Sequence, residues 1–168
     1  RLLNELANLG HHTIPEASRL YTDEIRRQGS TIQQVRADEG AFQNTIIALK
    51  HTLETQMLAT TVSSPLPDAR VFLDRGLPDS VTYYRFTQLD PNEALQHCFA
   101  RRYSHVFILD PLPLELDGTR VEDEQRALAI DQWLERDYTL MGYTVVRVPV
   151  VPVQERLQMV LQYVSTIG

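Results

Sequence analysis

Asp74 and Arg75 stand side by side behind the apolar triplet Val71-Phe72-Leu73, with Gly76 and Pro78 directly after them. A carboxylate that is the first residue out of a core can hold a magnesium ion directly or through water, and a guanidinium beside it can meet phosphate charge. A second pair lies in Ile14-Pro15-Glu16-Ala17-Ser18-Arg19. Here Glu16 falls at a strand's end and Arg19 about one helical turn on, a spacing that lets both face one cleft. Gln43 borders the apolar face of a long helix as a candidate ligand contact, and Arg120 and Arg126 are spaced to project from a polar flap. Each has a plainer reading. Asp74 and Arg75 can be a surface pair ending an ordinary strand, Glu16 a helix-starting acid that satisfies the macrodipole, Gln43 a boundary residue, and the arginines solvated side chains. His11 and His12 are adjacent, so a strand points them apart, which argues against metal binding by that pair alone.

The elements that must position these side chains follow from the apolar pattern. Val71-Phe72-Leu73 is too short for a helix, and with Gly and Pro behind it reads as a buried parallel strand. In open α/β sheets ligands sit beyond such carboxyl ends. Leu2, Leu3, Leu6 and Leu9 predict an opening helix that stops at Gly10, with no capping residue before Arg1. A short strand at residues 11–14 turns at Pro15 into a helix running towards Gly29. A longer helix is predicted from Thr31 to Met57, with Phe42, Ile46, Leu49 and Leu53 on its apolar face. Residues 63–68 form a loop. Pro78 starts a helix through Ser80, Tyr83 and Tyr84, and another spans Asn92 to Arg102. His105 to Asp110 is a strand stopped by Pro111 and Pro113. Leu116 to Glu124 opens a helix to about Leu140, Thr144 to Pro149 is the last strand, and Val153 to Val164 the last helix. Strands alternating with helices of this length predict an α/β fold with a parallel sheet.

At 168 residues, 43% hydrophobic and 23% charged, the chain has the size and composition of one soluble domain. A net charge of −6 excludes general nucleic-acid binding, which needs a basic face, but leaves room for a local basic pocket. The single cysteine, Cys98, excludes an internal disulfide and fits a small helix residue in a reducing compartment. No apolar run is long enough to span a bilayer, and a cytoplasmic location is expected.

In order and spacing, the strings Asn4 to Ala7, Ile14 to Arg19, Phe42-Gln43, Val71 to Ser80, Asp117 to Glu124 and Val148 to Arg156 resemble a P-loop NTPase of the nucleoside-kinase-like type. Within that group the chain is most similar to the bacterial AAA-family ATPases related to ribosylnicotinamide kinases. The resemblance implies a single domain over residues 1–168, a three-layer sandwich with a parallel sheet in the order 2-3-1-4-5, and a lid near residues 113–126. No Walker A string ending in Gly-Lys-Ser/Thr occurs in the sequence, so that loop and the first strand are expected upstream of Arg1. The cofactors it implies are ATP or GTP with Mg2+, and the partners a nucleotide and a small-molecule acceptor. By resemblance Asp74 takes the magnesium-associated role, Arg75 binds phosphate, Glu16 is the general base towards the acceptor hydroxyl, and Gln43, with Arg19, binds the acceptor. Arg120 with Arg126 would close the lid, and Val150 and Pro152 would lie near the adenine. The implied activity is transfer of the γ-phosphoryl group of ATP to a small nucleoside-like or other hydroxyl-bearing metabolite. The alternative is a nucleotide-dependent ATPase or GTPase switch that binds a protein or lipid partner and has no phosphoryl acceptor. A third reading is an α/β domain that kept the fold without the chemistry.

Overall fold

The computed structural model describes residues 1–61, 70–111 and 121–166. Helix α1 (Leu2–Asn8) ends at Gly10, whose φ of 90° reverses the chain into β1 (His12–Ile14). Helices α2 (Ala17–Arg27), α3 (Ile32–Val35) and α4 (Glu39–Thr61) lead to β2 (Val71–Leu73) and then α5 (Asp79–Phe86). Helix α6 (Pro91–Leu95) passes into a 3-10 turn at Gln96–Phe99, followed by β3 (Val106–Leu109), α7 (Val121–Leu140), β4 (Val145–Val148) and α8 (Val153–Thr166). The loop predicted at 63–68, Arg120 and most of the expected lid lie outside the described residues.

Both strand pairs are parallel, and each is closed by a helical crossover, as parallel pairing requires. His12 lies opposite Val71 and Ile14 opposite Leu73, while Val106 lies opposite Val145 and Leu109 opposite Val148. The ladders continue one residue past β2 and β3: the Asp74 N–H donates to Ile14 O at 2.8 Å, and the Asp110 N–H to Val148 O at 2.8 Å.

Two expectations need correction. The helix expected from Thr31 to Met57 is two helices. Thr31 and Gln34 form a capping box that starts α3, and Asp38 Oδ1 accepts the Ala41 N–H at 2.9 Å to start α4 afresh. Arg36 bridges the break by pairing with Glu39 at 2.9 Å. The helix expected from Asn92 to Arg102 is shorter, because Asp90 caps α6 and its end tightens to 3-10 geometry. The described residues form two two-stranded sheets, β1–β2 and β3–β4. Between them runs a groove of about 1000 Å³ lined by residues 71–75 of one sheet and 105–109 of the other.

The largest apolar cluster joins Ile47, Leu77, Val81, Tyr84, Ala94 and Cys98, so α5 is seated on α4 and α6. Full burial of each large apolar side chain contributes about 1.5–3 kcal/mol. Burial pushes the Cys98 thiol up to about 11, which keeps it protonated and unreactive at neutral pH. Ala17, Phe42 and Ile46 seat α2 on α4. Val106, Tyr138 and Tyr143 seat α7 on the second sheet. Among the described residues no helix is long and apolar enough to cross a membrane.

Candidate functional site

The carboxyl ends of β1 and β2 bring Glu16 and Asp74 together. Glu16 is the residue before α2, with ψ 119°, and its Oε1 accepts from Ser18 Oγ at 2.7 Å. Asp74 follows β2 with an exposed side chain. Its pKa is raised, first by partial desolvation and then by the negative charge of Glu16, with Asp79 adding to it. Arg75 acts the other way.

Arg75 has φ 72°, a left-handed conformation uncommon for a residue with a side chain. Its Nη1 meets Asp79 Oδ1 at 3.3 Å and its guanidinium lies 5.7 Å from the Tyr83 ring centroid. Burial works against the charge, but Asp79 and Tyr83 outweigh it and raise the pKa. The next residue must be glycine, since a Cβ on Gly76 would come within 2.9 Å of Tyr138 Oη and 3.0 Å of Tyr103 Cε2.

Four side chains tie this turn down. Asp79 Oδ2 accepts the Gly76 N–H at 2.9 Å and the Tyr138 hydroxyl at 2.6 Å. Tyr103 Oη accepts the Leu77 N–H at 3.0 Å and donates to Glu54 at 2.9 Å. Lys50 Nζ donates to Gly76 O at 2.7 Å and to Ser80 Oγ at 3.0 Å. A strained residue persists only when its surroundings fix it in this way, and such strain gathers at functional sites.

A second cavity, about 200 Å³, is lined by Glu16, Gln43, Lys50, Arg75, Ser80 and Tyr83 among others. Arg75 is common to this pocket and to the groove where Asp74 lies. Gln43 is buried, and its Nε2 donates to Glu39 Oε1 at 2.8 Å, which leaves its amide oxygen available. Arg19 is exposed and lines neither cavity. The one-turn spacing fails there because Glu16 caps the helix from outside, and Ser18 meets it instead. Arg126 is exposed, and its charge bears on Glu39 and Tyr83 beside the pocket. Val150 and Pro152 are exposed in the turn between β4 and α8, and both lie outside the two cavities.

Lys50, Asp79, Tyr83 and Tyr138 belong to this site and escaped the reading of the sequence. Lys50 follows Gln43 by two helical turns on one face of α4, a spacing that marks it. Asp79 lies three residues after the Asp74-Arg75-Gly76 string, but its inward turn is set by Tyr138, which is 59 residues away in sequence.

The oxygen donors of Asp74 and Glu16 suit a hard divalent cation. Their mutual repulsion, visible in the raised pKa of Asp74, is what such an ion would relieve. Among the described residues no group of three or more His, Cys, Asp or Glu side chains can hold a metal by itself. Magnesium needs no such cage, since it is usually held by one or two carboxylates with phosphate and water.

No curated protein and no solved structure matches the chain. A family model described as AAA domain matches residues 1–156, nearly the whole length. Short parallel strands joined by helical crossovers make the structure a mixed α/β one, the class to which P-loop domains belong. By that match the chain belongs to the AAA domain family.

Proposed function

We propose that this chain transfers the γ-phosphoryl group of ATP, or of GTP, to the hydroxyl of a small nucleoside-like or other hydroxyl-bearing metabolite. The observation that carries this reading is that Arg75 is shared by two cavities. On one side lies a small pocket with Glu16 and Gln43, on the other the strand end with Asp74. A transferring phosphoryl group needs that arrangement, with an acceptor site and a polyphosphate site meeting at a fixed cation.

In this reading the pocket holds the acceptor, and Glu16 takes the proton of its hydroxyl, a contribution of about 10²–10⁴ in rate. The amide oxygen of Gln43 orients the acceptor. Asp74 would hold Mg2+, which supplies charge neutralisation when bound. Arg75, locked by Asp79, meets the charge that develops between donor and acceptor. Arg126 belongs to the lid near residues 113–126 of a single domain, together with Arg120, which lies outside the described residues. Val150 and Pro152 border the adenine. The likeness to ATPases related to ribosylnicotinamide kinases is part of the same reading.

The groove between β2 and β3 supports the sheet order 2-3-1-4-5. Each sheet leaves one strand edge unpaired along it among the described residues, and a parallel strand laid between them would pair both edges.

A thermal-shift screen of metabolites with a non-hydrolysable ATP analogue and magnesium tests the reading. The expected result is an acceptor that stabilises the protein only when nucleotide is present. Stabilisation by nucleotide alone, with ATP turnover that Glu16→Gln leaves unchanged, would favour the switch without an acceptor.

A further inference from the structure

Lys50 is only 6% exposed, yet it stands on the wall of the small pocket. A lysine ammonium has three N–H donors. Two go to Gly76 O and Ser80 Oγ, and the third has no partner among the described residues. Both partners are neutral. The carboxylates whose charge Lys50 feels are engaged elsewhere: Asp79 with Gly76, Tyr138 and Arg75, and Glu54 with Tyr103 and Arg101. Burial therefore dominates and lowers the lysine's pKa. A buried ammonium without a hydrogen-bonded counter-ion is costly, and an anion delivered to it recovers much of that cost.

The other two cations on this wall differ. Arg36 is paired with Glu39 at 2.9 Å and Arg75 with Asp79 at 3.3 Å. One unmatched donor, on a residue that lines the same pocket as Glu16, suits a monoanion better than a phosphate, which draws several cations. Ile32, Phe42 and Ile46 line the space between and offer an apolar surface to the body of the ligand.

We infer that the pocket takes a hydroxy acid, whose carboxylate docks on the unmatched Nζ–H of Lys50 while its hydroxyl lies towards Glu16. This rests on the reading of the pocket as the acceptor site and narrows its substrate class from any hydroxyl-bearing metabolite to an acidic one.

The test uses 3-hydroxybenzoate and 3-hydroxybenzamide, which share ring and hydroxyl and differ in the carboxylate. Both are titrated calorimetrically into the full-length protein in the presence of a non-hydrolysable ATP analogue and magnesium. The benzoate is expected to bind roughly tenfold tighter than the amide, as one charge-assisted contact allows. In Lys50→Met that preference should vanish. Should Lys50→Met fail to fold, the 15Nζ resonance of Lys50 in the wild-type protein serves instead. It should shift with the benzoate and stay still with the amide. Equal affinity for the two probes, no binding of the benzoate, an unmoved Nζ resonance, or a preference that survives in folded Lys50→Met would each overturn the inference. Because no turnover is involved, loss of the carboxylate preference leaves Glu16-dependent phosphoryl transfer standing, and absence of transfer leaves the preference standing.

Discussion

Arg75 holds a backbone conformation that costs about 1–2 kcal/mol for a residue with a Cβ, although glycine would adopt it freely. Arg75→Gly relieves that strain and loses the ion pair to Asp79, so its stability in urea should stay within about 1 kcal/mol of the parent. Phosphoryl transfer, by contrast, should fall by about 10² or more in kcat, since a preorganised charge leaves the site. Gly76→Ala should act in the opposite sense. Its Cβ would press on Tyr138 and Tyr103, both held by hydrogen bonds and so unable to retreat, at a cost of about 1–3 kcal/mol in the same urea titration. The place of Asp74 and Arg75 at the carboxyl end of a strand was legible from the apolar triplet before them. The part played by Lys50 was not, because a lysine inside a helix is ordinarily a solvated residue, and only the packing of α5 on α4 buries this one.

Three helices hold the Asp74–Ser80 turn, and their junctions carry its rigidity. Buried Asp137 on α7 accepts from Thr82 Oγ1 at 2.7 Å and pairs with Arg85 at 3.2 Å, latching α7 to α5. Asp137→Ala strands the Thr82 hydroxyl, and a loss of roughly 2–3 kcal/mol is expected in urea unfolding, with the part-exposed Arg85 limiting the damage. Glu54 on α4 makes a different mark. Burial raises its pKa above its ordinary value of 4.5, more than Tyr103 and Arg101 lower it. The folded state therefore holds this proton more tightly than the unfolded chain, and stability declines as pH rises from about 4.5 through the raised value. Glu54→Gln removes that dependence. Across urea titrations from pH 4 to pH 8 the variant should gain on the parent as pH rises, and a constant gap would show that Glu54 is not held as described. At this scale β2 and β3 were legible as an apolar triplet and quartet, and β1 and β4, which carry His12, Thr13 and Arg147, by the proline that follows each. The break at 36–38 was hidden, because a capping box and an Asp cap interrupt a polar stretch without any Gly or Pro to announce it.

Across the whole molecule, two parallel pairs face each other over one groove, and the reactive groups gather at the carboxyl ends of one pair. Alternation of strand and helix made the α/β class readable, since it depends on local periodicity. Which edges pair was not readable, because pairing is a contact between residues as far apart as His12 and Val71. The acceptor pocket was half visible: Glu16 and Gln43 stood out by type and position, whereas Tyr83 and Lys50 reach it only through the packing of α4 against α5. All of it bears on one claim, that the pocket beside Arg75 receives the phosphoryl group of a nucleotide on an acceptor hydroxyl. Phosphorus NMR of full-length protein with ATP, magnesium and a pooled set of hydroxyl-bearing metabolites tests it most directly. The expected spectrum gains a phosphate-ester resonance in step with ADP, and Glu16→Gln slows its growth by about 10² or more while nucleotide binding is unchanged. ADP and inorganic phosphate alone, formed equally fast by wild type and Glu16→Gln, would contradict it.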